Sequence, residues 1–383
     1  MTKKTKEKTE ENGLSEDQKI IGSIMAKGKH YHYNDIKEKY YRTSTGSMIL
    51  DYELGGGIMP GLHRFIGQTS GGKSKCAQNC LANFLLEGVK GRKGLYIEAE
   101  GRFREKDRQR YGVKFVNQAE DWEDGTCLIV QTNVYEFVAN LIEQLIKQQG
   151  DDVCYFIVVD SIDGLKPQNS FEKTYQESAQ VAGGAVIAST LMSRIAIPLT
   201  KKGNIAIFIS QVRADIKLDP YSANKEVRQT SATGGNALLH YANFIIQFEP
   251  RYKSNRIMVD AKKPQSMLNR DLGHYAKAII KKSDNDKMEY TVEWPICYSK
   301  KTGSAVWIEK EIIDILRTFE LVNKSGAWFA FSEEIVEALE SGGCEMKHQF
   351  HGEDNLYKSI EGNQCAIDNL LKFIRENILI NAN

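Results

Sequence analysis

Long apolar runs are missing from this chain: across its 383 residues none approaches the roughly 20 consecutive apolar residues of a membrane-spanning helix. Excess charge is missing too. Fifty-one Lys and Arg stand against 50 Asp and Glu, so the net charge of +1 selects no partner. Seven cysteines are present (Cys76, Cys80, Cys127, Cys154, Cys297, Cys344 and Cys365), an odd number without regular spacing. That pattern argues against a disulfide framework and predicts reduced thiols in a cytosolic protein. The opening MTKKTKEKTEENG has no apolar segment. It reads as a disordered tail over residues 1–14, not as a secretory signal. No internal repeat runs through the chain.

What remains is ordinary globular composition, 41% hydrophobic and 26% charged, at a length suited to one large α/β core with small appendages. From Ser15 the pattern turns helical (SEDQKIIGSIMAKG) and then rich in Tyr and Lys, a small N-terminal element over 15–42. The core is expected over 43–305. It opens at a glycine cluster, Gly55, Gly56 and Gly57, and the pair Pro60–Gly61. Apolar runs follow at 62–67, 94–100, 154–160, 204–210 and 243–248, several of them nearly continuous Ile, Val and Phe, as in buried parallel strands. Helical stripes lie between them, at 74–87 and 134–147. Alternation of this kind predicts an α/β fold with a mostly parallel, doubly wound central sheet. After Val306 the pattern becomes helical and polar, a small C-terminal domain over 306–383.

The most specific signal is GQTSGGKS, residues Gly67, Gln68, Thr69, Ser70, Gly71, Gly72, Lys73 and Ser74, followed by Lys75. It fits G-x-x-x-x-G-K-[ST] in full, after a predicted strand and before a predicted helix. Glycines let the backbone N–H groups curl toward phosphate oxygens, and the helix N-terminus adds its positive dipole end. Lys73 then reaches the outer phosphates, and the Ser74 hydroxyl suits Mg²⁺. CYFIVVDS places Asp160 at the C-terminal tip of a buried strand, where it holds the same metal ion. YIEAEG brings Glu98 and Glu100 to another strand tip, and Glu100 is the candidate catalytic base.

With these residues in place the chain resembles the RecA family and its phage relatives: a RecA-like P-loop NTPase core with a small N-terminal helical element and a small C-terminal domain. TGSMILDYELGGGIMPG resembles the family's entry to its core. IEAEGRF resembles the segment of its catalytic glutamate, here Glu100, and IVVDSIDGLKP its metal-binding strand. IFISQVR resembles the strand ending in a γ-phosphate-sensing glutamine, here Gln211. TGGNAL, KSGAWF and GSIM resemble the end of the second DNA loop, the start of the C-terminal domain and the polymerisation element. The matches keep family order between about residues 20 and 330.

The resemblance implies an ATP- and Mg²⁺-dependent recombinase. It implies a helical filament of the protein on single-stranded DNA, pairing of that strand with homologous double-stranded DNA, and strand exchange in recombination and repair. A single-strand-binding protein and filament mediators are candidate partners, with no membrane. The expected location is cytoplasmic, that of a bacterial host for a phage-encoded member. Two loops would meet DNA, within 166–188 and 212–235. The second carries Arg213, Lys217, Lys225, Arg228 and Tyr221, and ends in Thr233, Gly234, Gly235 and Asn236. The rival readings are a mediator that barely turns over ATP and a RecA-fold helicase.

Departures mark a divergent member. The aromatic residue that covers adenine in the family falls here on Asp107, with Phe103 as a nearby substitute. Two basic residues spaced K-x-K, which reach a neighbour's γ-phosphate, fall on IIKKSD, with Lys281 and Lys282 as candidates. From Arg251 to Lys287 there are ten Lys and Arg and four Asp and Glu, a local excess able to follow a phosphate backbone. Cys344, His348, His351 and Cys365 match no standard zinc spacing.

Overall fold

The structure is a computed structural model that describes residues 15–28, 32–171, 183–213, 231–232, 237–260, 263–284, 288–300 and 302–379. The tail expected over residues 1–14 lies outside them. Two compact units are present, Met1–Lys37 and Glu38–Asn383. In the first, helix α1 (Glu16–Lys27) starts at a capping box in which Ser15 and Gln18 satisfy each other's backbone. None of its residues is buried, and Ile20, Ile21 and Ile24 are exposed.

The second unit opens with α2 (Met48–Glu53), β1 (Gly61–Gly67) and α3 (Lys73–Leu86). Then come β2 (Arg92–Glu98), α4 (Glu105–Gln109), β3 (Lys114–Val116), β4 (Thr126–Gln131), α5 (Tyr135–Lys147) and β5 (Cys154–Asp160). Next are α6 (Gly183–Lys201), β6 (Ile205–Arg213), β7 (Ser231–Ala232), α7 (Ala237–Tyr241), β8 (Phe244–Phe248) and β9 (Arg256–Met258). The long strands β10 (Asp271–Lys282) and β11 (Tyr290–Cys297) complete the sheet.

Its order is β11-β10-β8-β1-β6-β5-β2-β4-β3, with β7 on β6 and β9 on β10. From β8 to β3 every neighbour is parallel, and β10 and β11 run antiparallel. The predicted α/β fold with a mostly parallel central sheet is therefore present. The strand expected to reach Glu100 stops at Glu98, which leaves Glu100 just past the strand.

Alternation along the strands builds a core on each face. Phe65, Tyr96, Phe156, Val158 and Ile207 pack on one side with Ala77, Cys80, Leu81 and Phe84 of α3. Ile66, Leu95, Ile157, Val159 and Phe208 pack on the other with Val138 and Ile142 of α5 and Leu191, Met192 and Ile195 of α6. Each buried strand thus feeds two layers, and its C-terminal tip is the first point free to carry polar chemistry.

Residues past Val306 form α8 (Ile308–Thr318), β12 (Val322–Ser325), β13 (Trp328–Phe331), α9 (Glu333–Ser341), β14 (Gln349–His351), α10 (Glu353–Ile360) and α11 (Gln364–Ile374). They gather around a third core with Ile312, Leu316, Phe329, Phe331, Leu356 and Leu370, which also takes in Met48 of α2. The helical reading of this region missed the antiparallel sheet β12-β13-β14, because strands of three and four residues are too short to show a period. The expectation of seven reduced thiols is also corrected. Cys344 and Cys365 form a disulfide with their Cα atoms 5.9 Å apart, while Cys76, Cys80, Cys127, Cys154 and Cys297 are free. The end of α9 meets the start of α11 there, a proximity that spacing along the chain does not reveal. The two cysteines of the zinc-like constellation are therefore bonded to each other. Among the described residues no helix is long and apolar enough to cross a membrane.

Two carboxyls are buried where α2 meets α8, and one of them, Glu311, ties the two helices. Asp51 accepts from the Ser44 hydroxyl and, at 2.7 Å each, from the Thr45 N–H and hydroxyl. Glu311 Oε1 accepts from the Ser47 hydroxyl and from Ile49 N at 3.3 Å, while Oε2 has no partner. Burial outweighs these bonds and pushes Asp51 up to about 6 and Glu311 up to about 7. A carboxyl raised in the folded state stabilises below its unfolded pKa and loses that contribution as pH rises through the folded one. For Glu311 the window runs from the ordinary 4.5 to about 7 and is on the order of 3 kcal/mol wide. Glu311→Gln keeps an oxygen for Ser47 and Ile49 and removes the titration. The variant's melting temperature relative to the parent should therefore climb by a few degrees from about pH 5 to about pH 8. Parallel melting curves across that range would refute the assignment.

Candidate nucleotide-binding and catalytic site

Strand β1 is buried along its whole length between β6 and β8, and the phosphate motif leaves it at Gly67. Gly67 has φ 143°, and a Cβ there would stand 2.2 Å from the Phe248 carbonyl oxygen. A side chain at this turn would collide with fixed backbone. Beyond it, Gln68, Thr69 and Ser70 are exposed and Gly71 is buried. Ser70 (φ 64°) and Gly72 (φ 104°) take left-handed conformations that curl the loop into α3. No side chain caps α3, so its first N–H groups keep their capacity for an anion.

Lys73 is buried, and its ammonium donates to the carbonyls of Gly67 (2.8 Å) and Gln68 (2.7 Å). Burial lowers its pKa, against the pull of Asp160, Glu100 and Asp163. Asp160 ends β5 directly beside Glu98, the last residue of β2. Burial raises its pKa, opposed by hydrogen bonds from Tyr96 and Ser74. The Tyr96 hydroxyl donates to Asp160 at 2.6 Å and accepts from the Gln78 amide at 3.2 Å. Helix α3 therefore grips Asp160 twice, through Ser74 and through Gln78 and Tyr96.

The two candidate glutamates separate by environment. Glu98 is buried, and its carboxylate accepts from Arg102 N (2.6 Å), Phe103 N (3.4 Å) and the Gln131 amide (2.9 Å). It staples the turn that follows β2. Glu100 stands on that turn, where Oε1 accepts from the Ser161 hydroxyl and, at 3.4 Å, from the Gln211 amide. Its Oε2 lies 3.3 Å from Arg102. Gln211 pairs in register with Gly67, so β6 delivers it to the mouth of the phosphate loop. Its own N–H donates to Asp163 at 2.7 Å. Lys73, Ser74, Glu100, Asp160 and Gln211 thus share one edge of the sheet.

Other expected residues are placed differently. Phe103 is a core side chain, stacked on Tyr96 at 4.5 Å and edge-on to Phe115 at 5.2 Å, so it does not cover a base. Asp107 accepts from Lys75 at 2.6 Å, which occupies both side chains. Beside the phosphate loop lies a cavity of about 220 Å³ lined by Gly72, Lys75, Asn79, Arg251, His274 and Tyr298 among others. His274 is held neutral there, its pKa pushed by burial down to about 4. Lys281 pairs with Glu289 at 2.7 Å, and Lys282 donates to the carbonyls of Leu239 and His240. Lys282 sits opposite Ile245, which is itself opposite Arg64, three residues before Gly67 along β1. Lys281 and Lys282 are therefore not brought to this chain's own phosphate loop.

Arg213 closes β6, while Lys217, Tyr221, Lys225, Arg228, Thr233, Gly234, Gly235 and Asn236 lie outside the described residues, as do residues 172–182 of the first expected loop. Sequence reading passed over Tyr96, Gln78, Ser161 and Asp163. The signal for Asp163 was on view in DSIDG. Tyr96 gave none, since its hydroxyl sits in a run that reads as plain apolar strand.

Comparison with known proteins fits this geometry. A family profile described as RecA N-terminal domain matches residues 11–267. The chain is 27% identical over 354 residues to "Protein RecA" of Rickettsia africae, covering 91% of this chain and 90% of the relative. It is 24% identical over 361 residues to "Protein RecA" of Rippkaea orientalis, covering 93% and 87%. A solved structure titled "Crystal structure of the RadB recombinase" matches with TM-score 0.44 and 18% identity, over 67% of this chain and 97% of that one.

The close approach at Gly67 makes a prediction. Gly67→Ala should cost roughly 1–3 kcal/mol or more, since the Phe248 backbone it meets is anchored by β1 and β10. Gly112→Ala, with φ 72° but nothing within 4 Å of its Cβ, is the control for backbone strain alone. Urea denaturation should place Gly67→Ala clearly below Gly112→Ala, and equal midpoints would contradict the steric argument.

Proposed function

This chain belongs to the RecA N-terminal domain family, and from that premise we propose that it is a DNA-dependent ATPase that assembles on single-stranded DNA and exchanges it with a homologous duplex. It acts as a RecA-like recombinase in recombination and repair. The observation that carries the finer reading is the Glu100 carboxylate, bonded to the Gln211 amide at the edge that also holds Lys73, Ser74 and Asp160.

The donors suit the substrate. The uncapped start of α3 and the Lys73 ammonium fit the phosphates of ATP, and the cavity beside Gly72 and Lys75 fits its base. Ser74 and Asp160 offer oxygen donors to a hard divalent cation, and Mg²⁺ held there would neutralise charge on the phosphates. Glu100 orients a water and takes its proton as the water oxygen bonds to the γ-phosphorus. The bond from that phosphorus to the bridging oxygen breaks, and ADP leaves with the electron pair. Lys73 and the Gln211 amide stabilise the charge on the transferred group.

Gln211 also supplies the link to DNA. Its amide has two competing acceptors, the Glu100 carboxylate and a γ-phosphate, and it stands at the end of β6, just before the stretch bearing Lys217, Lys225 and Arg228. Switching between those acceptors would couple the nucleotide state to DNA binding by Arg213, Lys217, Lys225, Arg228 and Thr233 to Asn236. Lys281 and Lys282, remote from their own phosphate loop, suit a neighbour's nucleotide across a filament interface.

ATP hydrolysis should rise severalfold or more with single-stranded DNA, and hydrolysis indifferent to DNA would overturn the reading. Glu100→Gln should cut turnover by about 100-fold or more while ATP and DNA still bind. Lys73→Ala should remove the nucleotide-dependent filaments seen by electron microscopy, because it deletes the cation held at the phosphate loop. Normal filaments in that variant would exclude Lys73 from phosphate binding.

A further inference from the structure

The basic stretch that starts at Arg251 has a physical shape. Strands β9 and β10 form an antiparallel hairpin, and residues 259–270 connect them. At its tip two large apolar side chains face solvent almost completely, Met267 at 97% and Leu268 at 93% exposure. Such exposure on a loose loop would mean little. This tip is built. Asn269, next in sequence, is buried and donates its side-chain amide to the carbonyls of Asp260 (2.9 Å), Lys263 (2.9 Å) and Pro264 (3.1 Å). Its carbonyl oxygen accepts from Asp260 N at 2.8 Å, and Ser266 closes the turn from both its hydroxyl and its N–H. One buried polar side chain therefore spends its hydrogen bonds holding two apolar neighbours outward, an arrangement that costs solvation unless something covers them.

The surroundings select what covers them. From Arg251 to Arg270 the sequence carries Arg251, Lys253, Arg256, Lys262, Lys263 and Arg270 against Asp260 alone. Lys253 and Arg270 are exposed and have no ion pair among the described residues. Cations flanking a pair of aliphatic side chains match a nucleic-acid duplex, where phosphates meet the cations and the apolar pair enters between base pairs as a wedge. A single strand would call instead for a series of aromatic stacking platforms; the tip from Lys263 to Arg270 has none, and from Arg251 to Arg270 the sequence carries one aromatic, Tyr252, ahead of β9.

We propose that the β9–β10 hairpin is a duplex-DNA docking element whose Met267 and Leu268 wedge open a base step, with Lys253 and Arg270 on the flanking phosphates. This rests on the DNA-dependent recombinase reading and adds to it a device that engages and loosens the incoming duplex.

The test uses the full chain and a short DNA duplex carrying 2-aminopurine, whose fluorescence rises when its stacking is broken. The parent should raise that fluorescence. The double variant Met267→Ser, Leu268→Ser should lower the rise by about fivefold or more, and its folding should be intact because both side chains are in solvent. Lys253→Ala with Arg270→Ala should weaken duplex binding and flatten its dependence on log salt by about 0.9 for each phosphate no longer neutralised. An unchanged fluorescence rise in the serine variant overturns the wedge, as does a parent that binds duplex without any rise. Serine substitution that abolishes binding to anionic lipid vesicles, or self-association, while sparing the duplex signal also overturns it. ATP hydrolysis on single-stranded DNA, measured in parallel, should stay within about twofold of the parent in the serine variant. If the parent's hydrolysis ignores DNA while its duplex signal still depends on Met267 and Leu268, the catalytic reading fails and the hairpin stands.

Discussion

Everything at the candidate site depends on how closely β1 is held between its neighbours. Its last residue faces Gln211 of β6 on one side and Phe248 of β8 on the other. At Gly67 the Phe248 carbonyl occupies the space a side chain would need. That approach fixes where the phosphate loop leaves the sheet, and so where Lys73 and Ser74 begin α3. Once α3 is placed, Ser74 and, through Tyr96, Gln78 orient the Asp160 carboxylate. Four parallel strands, β1, β6, β5 and β2, then deliver side chains to one edge, because parallel strands in register end together.

Burial makes the edge costly and therefore specific. Lys73, Asp160 and Tyr96 all sit in surroundings that disfavour their charged forms, and each is held by named polar partners. Groups arranged in this way are rigid before a ligand arrives, which is the condition for stabilising charge without first reorganising solvent. Gln211 stands apart from this rigid set. Its side-chain amide donates to Glu100, and it stands two residues before Arg213, which closes β6.

Other polar residues serve structure. Glu98 staples the turn that presents Glu100, Asp51 holds Ser44 and Thr45 ahead of the entry helix, and Glu311 joins that helix to the region past Val306. The hairpin tip inverts the usual arrangement, with an asparagine buried and two aliphatic side chains in water. The local charge excess was visible in the sequence as a run of Lys and Arg. Only the fold shows that the run is bent into a hairpin with an apolar point.

The sequence by itself determined the phosphate motif, the strand–loop–helix context around it, the buried strands β1, β2, β5, β6 and β8, and the identities of Lys73, Ser74, Glu100, Asp160 and Gln211 as candidates. These were legible because they are local: a motif has fixed spacing, and a buried strand is a short apolar run with a polar tip. Tertiary structure alone decided the strand order, the partition of labour between Glu98 and Glu100, and the burial of Phe103. It also decided the meeting of Cys344 with Cys365 and the separation of Lys281 and Lys282 from this chain's phosphate loop. Each of these depends on which distant segments become neighbours, and hydrophobic periodicity records only which face of an element is buried, not what it is buried against.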